Sequence, residues 1–182
     1  MREWFIKCIE VYSRHFPAGG YAGFAIVFIV GAIVLLAVLG ARRGLRWSAV
    51  LLLVEYLVLI LWLAVLARSV QAERMHNFTP FWSYHAIPKD VLVLPQIILN
   101  VAVFIPVGVL LRCAFEKMRW WKVLLVGGAF SVIIEVLQFV TKRGFAEFDD
   151  VFHNTLGCLL GYGLFVAAAW VVRRLSDKRV VV

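Results

Sequence analysis

The sequence predicts an all-α integral membrane protein with five transmembrane helices and an N-terminal amphipathic helix in the membrane interface. The 182-residue chain is 63% hydrophobic and 16% charged, whereas a soluble domain is nearer half apolar and a quarter charged. Its apolar residues come in runs of about twenty, the length that crosses the hydrocarbon core. Basic residues sit at the ends of these runs, so the net charge of +8 does not indicate nucleic-acid binding.

Residues 1–20 have the pattern of a helix that lies flat in the interface. Apolar side chains recur there at helical spacing, at Phe5, Ile9, Tyr12 and Phe16. Charged residues fall mostly on the other face, which is typical of an interfacial amphipathic helix. Pro17 and two following glycines end the helix before the first span.

The five predicted spans are Tyr21–Leu39, Ser48–Ala67, Val91–Leu111, Val123–Thr141 and Val151–Val172. Each is long enough to cross the membrane with modest tilt. They divide the chain into an N-terminal pair of helices (21–67), a core (68–172) with an extracytoplasmic loop and three helices, and a basic cytoplasmic tail (173–182).

The distribution of lysine and arginine predicts the orientation. Eleven of these residues fall in loops one and three and in the tail, against eight on the other side. The positive-inside rule therefore places the N-terminus outside and the C-terminus in the cytoplasm. We expect a multi-pass protein of the plasma membrane. Loop two, defined as Arg68–Asp90, then lies outside. Its residues Trp82 and Tyr84 suit the lipid headgroup level.

Three of the predicted spans carry a stripe of polar and small residues at helical spacing. The stripes are Gln96, Asn100, Phe104 and Gly108 in span three, Gly127, Ser131, Glu135 and Gln138 in span four, and Asp150, Asn154, Gly157 and Gly161 in span five. Small residues allow close helix approach, and amides hydrogen-bond across the gap. We therefore expect a three-helix core with a polar pocket that opens to the outside.

An acidic side chain within the membrane requires a partner. We expect Arg143 to pair with Glu135 or Asp150, because its planar guanidinium group can donate two hydrogen bonds to one carboxylate. Two plainer interpretations stay open. The polar residues could serve only to hold helices together, and Asp149 or Asp150 could cap the fifth helix. The three cysteines lack metal-ligand spacing. Neither a metal nor another cofactor is expected.

Four ordered motifs in residues 70–172 resemble those of the VanZ-like membrane proteins. They are Asn77-x2-Pro80-Phe81, Asn100-x3-Phe104-x-Pro106-x-Gly108, Ser131-x3-Glu135-x2-Gln138 and, after Arg143, Asp149-Asp150-x3-Asn154-Thr155-x-Gly157-x3-Gly161. The resemblance implies a bacterial cell-envelope protein in a family named after a protein of low-level resistance to the glycopeptide teicoplanin. It implies no established biochemical mechanism.

The motifs and stripes together define the candidate residues. The candidate ligand-binding residues are Asn77, Pro80, Phe81, Gln96, Asn100, Ser131, Glu135, Gln138, Arg143, Asp149, Asp150 and Asn154, and the candidate helix-packing residues are Gly108, Gly127, Gly157 and Gly161. No catalytic residue is assigned.

Three functional hypotheses follow. The first is a non-enzymatic protein that binds a membrane lipid, a lipid-linked cell-wall precursor or a glycopeptide antibiotic in an outward-facing pocket. The second is a small proton-coupled transporter or lipid flippase with Glu135 as the proton carrier. The third is an intramembrane hydrolase or transferase that uses Glu135 and Asp150 as paired carboxylates. A homodimer is compatible with each.

Overall fold

The structure is a computed structural model that describes residues 45–90 and 92–179. Its helices are α1 (Leu45–Leu61, continued by a π-helical turn at Trp62–Leu66), α2 (Trp82–Ala86), α3 (Val93–Ala114), α4 (Trp120–Thr141) and α5 (Phe148–Arg179). Its strands are β1 (Met75–Asn77) and β2 (Phe145–Glu147). The predicted interfacial helix and the predicted span Tyr21–Leu39 lie outside the described residues.

Four of the described helices are long and apolar enough to span a membrane. They cover Arg46–Leu66, Val93–Ala114, Trp120–Thr141 and Phe148–Ser176. Predicted spans two to five correspond to them, with boundaries shifted by up to three residues except at the end of α5. That helix continues beyond Val172 to Arg179, so much of the predicted tail is helical. The chain is thus a mostly helical membrane protein.

Helices α3 and α5 approach each other most closely. A Cβ atom added at Gly161 would collide with the backbone carbonyl of Ile105, and one at Gly157 with that of Val101. From the other side, a Cβ at Gly108 would collide with the carbonyl of Cys158. Glycine is therefore required where the two backbones touch. Helix α1 packs on α3, to which the Tyr56 hydroxyl donates a hydrogen bond at the carbonyl of Val103 (2.9 Å).

Loop two is folded and is joined to the connection between α4 and α5. Its strand β1 pairs in parallel with β2, with Met75 opposite Phe145 and Asn77 opposite Glu147. The backbone N–H of Gln71 also donates to the carbonyl of Lys142 (2.9 Å). This two-stranded sheet lies at one end of the otherwise helical bundle and was not among the predicted elements. We call this end the loop-two end.

The opposite end, here called the basic end, is formed by the start of α1 and the connection from α3 to α4. The Arg46 Nε donates to the carbonyl of Ala114 (3.1 Å) and joins these two segments. The hydrophobic core lies between the two ends and includes Phe104, Val107 and Ile134. It separates the polar residues of the loop-two end from the charged residues of the basic end.

Candidate functional site

The three polar stripes meet at the loop-two end of the bundle. The Asn100 side chain donates from Nδ2 to Oδ1 of Asp150 (2.6 Å), which joins α3 to α5. The Asn154 side chain donates from Nδ2 to the hydroxyl of Ser131 (2.8 Å), which joins α5 to α4. The small residues of the same stripes lie deeper, where a Cβ at Gly127 would come within 2.6 Å of the Cys158 sulfur.

Two glutamates connect these helices to the strand β2. The backbone N–H of Glu147 donates to Oε2 of Glu135 (2.8 Å), and the Gln96 side chain hydrogen-bonds to the Glu147 carboxyl. Both glutamates are more than nine-tenths buried. We call these residues the polar network: Gln96, Asn100, Ser131, Glu135, Glu147, Asp150 and Asn154.

The cation of the polar network is Arg68 rather than Arg143. The Arg68 charge interacts with the carboxyls of Glu135, Glu147 and Asp150. Arg143 instead donates from Nη1 to the carbonyls of Leu66 (3.0 Å) and Arg68 (2.7 Å). The predicted pairing of Arg143 with Glu135 or Asp150 was therefore wrong. Arg143 fixes the backbone that carries the interacting guanidinium.

Asp149 holds loop two onto α5. Its carboxylate accepts hydrogen bonds from the N–H of Phe81 (2.6 Å), from the N–H of Ser83 (3.0 Å) and from the Ser83 hydroxyl. These donors lie at the start of α2, where backbone N–H groups lack helical partners. Asp149, one of the two acids considered as a cap for the fifth helix, thus binds the start of a different helix. The other, Asp150, accepts a hydrogen bond from Asn100.

The Asn-x2-Pro-Phe motif shapes the backbone that Asp149 binds. Asn77 accepts the N–H of Thr79 at Oδ1 (3.0 Å), a local turn that asparagine favours. Pro80 follows, and Phe81 adopts a left-handed conformation with φ of 60°. That conformation costs a non-glycine residue about 1–2 kcal/mol. The bond from its N–H to Asp149 offsets this cost.

An exposed cluster of aromatic residues lies beside these contacts. We call Phe81, Tyr84 and Phe152 the aromatic patch, since the Phe81 ring is 6.1 Å from that of Tyr84 and 5.9 Å from that of Phe152. Beneath the patch, the Tyr84 hydroxyl and His153 Nε2 are hydrogen-bonded at 3.0 Å. The rings therefore cover a buried histidine that is next to Asn154.

Three buried polar atoms at this end have no partner among the described residues. They are Nε1 of Trp82, Nδ1 of His153 and Oε1 of Gln138. The Gln138 amide donates from Nε2 to the carbonyl of Ala64 (3.0 Å), outside the polar network. Unpaired buried polar atoms usually accompany a water molecule or a ligand group. The three atoms thus mark places where a polar ligand atom would be stabilised.

The polar network is largely closed, in contrast to the open pocket that was predicted. Four of its members are buried, while Gln96, Asn100 and Asp150 are partly exposed. Exposed fractions of the buried members are 0% for Ser131, 7% for Glu135, 5% for Glu147 and 5% for Asn154. In the described part of the chain, loop two and β2 lie over these side chains and bond to them. A ligand that contacts the buried members must therefore displace part of loop two or enter beside the aromatic patch.

Five residues of this region were not among the candidates, namely Arg68, Ser83, Tyr84, Glu147 and His153. Arg68 and Glu147 border the predicted spans and belong to no stripe. Ser83 and Tyr84 lie in loop two, where no periodic sequence pattern predicts the contacts with the helices. Only His153 could have been found from the sequence pattern, because it follows Asp149 by one helical turn.

Glu147 lies just outside the spanning segments and has a perturbed acidity. Burial raises the pKa of its carboxyl from an ordinary 4.5 to about 8. Asp150 and Asp149 add to this rise, while the Gln96 hydrogen bond and Arg68 oppose it. The neutral carboxyl is therefore the form that the folded protein favours. Its contribution to stability is complete below about pH 4.5 and is lost as the pH rises through about 8.

We expect Glu147→Gln to remove this pH dependence, because the amide resembles the neutral carboxyl. At pH 9 the variant should melt about 5 °C or more above the wild type, since one pKa unit corresponds to about 1.4 kcal/mol. At pH 4, below the ordinary pKa of the carboxyl, the two should melt close together. The measurement is the melting temperature in detergent across this range. The control is Glu73→Gln at an exposed position, and an equal pH response in Glu147→Gln and the wild type would contradict the assignment.

The chain is similar to known proteins over this same region. The family model VanZ/LLP1 matches residues 53–171. Protein VanZ of Enterococcus faecium is 30% identical over 121 residues, which cover 63% of this chain and 71% of the relative. No solved structure matches the chain. The matched range contains the polar network, loop two and all four motifs.

Proposed function

This chain belongs to the VanZ/LLP1 family, and we propose that it is a bacterial cell-envelope protein that binds an amphipathic ligand at the aromatic patch. The ligand is a membrane lipid, a lipid-linked cell-wall precursor or a glycopeptide antibiotic. The family resemblance links such a protein to teicoplanin resistance. Glycopeptides act on wall precursors outside the membrane, so the proposal places the loop-two end there.

The observation that carries the proposal is the exposure of the aromatic patch directly above buried polar groups. Phe81, Tyr84 and Phe152 are 49%, 42% and 45% exposed. Sites for small ligands combine apolar and aromatic walls with a few placed polar groups. The rings would contact the apolar part of the ligand.

The polar part of the ligand would be recognised at the base of the patch. His153 Nδ1 is buried and unpaired among the described residues, and Asp149 lies one helical turn before it. The Arg68 charge interacts with the nearby carboxyls of Glu135 and Asp150. Hydrogen-bonding groups of a ligand would thus meet polar groups that are already held in place.

Binding to two probes, teicoplanin and a polyprenyl phosphate, tests the proposal. The wild-type protein in lipid nanodiscs should bind at least one probe, measured by thermal shift and by native mass spectrometry. We expect Phe152→Ala to weaken that binding about tenfold or more, because buried aromatic contacts dominate binding energies. The matched control is Trp170→Ala, an exposed aromatic residue of the same helix near its other end.

Two results would contradict the proposal. One is the absence of binding of either probe to the wild type. The other is an equal effect of Phe152→Ala and Trp170→Ala, since a general loss of aromatic surface would then explain the change. Tyr84→Phe removes only the hydroxyl that bonds to His153. Its effect separates the polar from the aromatic contribution.

A small proton-coupled transporter is the second candidate, and the clustered carboxyls favour it. Glu135, Glu147, Asp149 and Asp150 all lie at the loop-two end, and buried acids mark proton relays in membranes. Reconstituted liposomes would show proton-driven flux of the same probes. That flux should be abolished in Glu135→Gln if the protein transports, and binding without flux would support the first candidate.

A further inference from the structure

The basic end of the bundle contains a groove between two separate segments. A cavity of about 410 Å³ is lined by Arg46 from α1 and by Phe115, Glu116, Lys117, Met118 and Lys122 from the α3–α4 connection and the start of α4. A second cavity of about 480 Å³ shares four of these residues and adds Arg119 and Trp121. We call the two together the basic groove.

The charge of the basic groove is strongly positive. Its walls carry four basic side chains (Arg46, Lys117, Arg119 and Lys122) and one acid (Glu116). The positive-inside rule explains basic residues in short loops, but it does not require residues of two distant segments to line one concavity. This convergence is what indicates an anionic ligand.

Two of the cations are held in position. The Arg46 Nε donates to the carbonyl of Ala114, so its planar group is anchored at the edge of the groove. The Lys122 ammonium lies over the Trp121 ring, 5.4 Å from its centroid. Anchored cations lose less conformational freedom when they bind an anion.

Exposed tryptophans place the groove at the depth of lipid headgroups. Trp47, Trp120 and Trp121 are all exposed at this end, next in sequence to Arg46, Arg119 and Lys122. Tryptophan is enriched at the membrane–water interface. The groove therefore opens where the phosphates of one leaflet lie, at the end of the bundle opposite the aromatic patch.

We propose that the basic groove binds the phosphate of an anionic lipid headgroup. Basic sites between transmembrane helices bind acidic headgroups by direct contact with phosphate oxygens. The groove is separated from the polar network by the hydrophobic core, so this proposal is independent of the function assigned to the loop-two end. The lipid would brace α1 against the α3–α4 connection.

Native mass spectrometry of the full chain in detergent tests the proposal with phosphatidylglycerol and with phosphatidylcholine of the same acyl chains. We expect phosphatidylglycerol to bind about tenfold or more tightly. The double variant Lys117→Gln/Lys122→Gln should lose about tenfold or more of that affinity, since each basic residue near a surface contributes about a fivefold change. Its affinity for phosphatidylcholine should not change.

The matched control is Arg74→Gln/Lys89→Gln, which removes two exposed cations at the loop-two end. It should leave phosphatidylglycerol binding within about twofold, as should the charge-preserving Lys117→Arg/Lys122→Arg. An equal loss in either control variant would overturn the proposal, and so would equal affinity for the two lipids. Competition by millimolar inorganic phosphate would also overturn it, in favour of a site for soluble phosphate.

Discussion

Replacement of Asp149 by alanine is expected to release loop two from the helices and to lower the free energy of unfolding by about 3–5 kcal/mol. The carboxylate is 1% exposed and accepts three hydrogen bonds from Phe81 and Ser83. Removal of a buried charged partner leaves these donors unsatisfied, which costs several kcal/mol. It also leaves the left-handed conformation of Phe81 without its compensating bond. Thermal unfolding and hydrogen exchange of residues 75–90 measure the two effects.

The conservative variant Asp149→Asn should lose less, because the amide keeps one acceptor oxygen. Hydrogen exchange should rise most at the amides of Phe81 and Ser83, which donate to the carboxylate. The exposed acid Glu73 provides a control, and Glu73→Ala should change neither quantity. Unchanged protection of loop two in Asp149→Ala would show that the anchor lies elsewhere.

Replacement of Gly161 by alanine is expected to separate α3 from α5 and to destabilise the bundle by about 3 kcal/mol or more. The added Cβ would collide with the backbone carbonyl of Ile105. Backbone atoms cannot rotate away as a side chain does, so one helix must shift. Overpacking within a core already costs about 1–3 kcal/mol where side chains can yield.

Gly163 is the matched control in the same helix. A Cβ added there meets nothing within 4 Å in the described structure. Gly163→Ala should therefore be neutral or stabilising by about 0.5–1 kcal/mol, because alanine favours the helix over glycine. Detergent unfolding of the two variants side by side gives the comparison. Equal stability of both would contradict the close approach of α3 and α5.

The membrane explains which parts of the fold can be predicted from sequence. A span needs about twenty apolar residues, so α1, α3, α4 and α5 are visible as runs in the chain. A helical period of 3.6 residues then assigns Asn100, Ser131 and Asn154 to facing stripes. The same spacing identifies Gly157 and Gly161 as residues of a close helix contact.

The docking of loop two could not be predicted in the same way. Strands β1 and β2 have three residues each and lie about seventy residues apart, so neither periodicity nor local pairing indicates them. The cation of the polar network was misassigned because Arg68 and Arg143 are neighbours in space and both have long side chains. The structure separates their roles, because Arg143 donates to the carbonyls of Leu66 and Arg68 whereas the Arg68 charge interacts with the carboxyls.

The claim that loop two is folded onto the helices can be tested directly by disulfide cross-linking. Met75 and Phe145 are opposite each other in the parallel pair, where neighbouring strands lie about 5 Å apart, a distance that a disulfide bridges. The native residues Cys8, Cys113 and Cys158 are first replaced by alanine. Met75→Cys/Phe145→Cys is then oxidised in native membranes.

The structure predicts that most of this double variant becomes cross-linked. The control Glu73→Cys/Phe145→Cys moves one thiol two residues along the chain, about 6–7 Å away, and should remain largely reduced. Failure of the first pair to cross-link, or equal yields from both pairs, would contradict a loop two that is closed over the polar network.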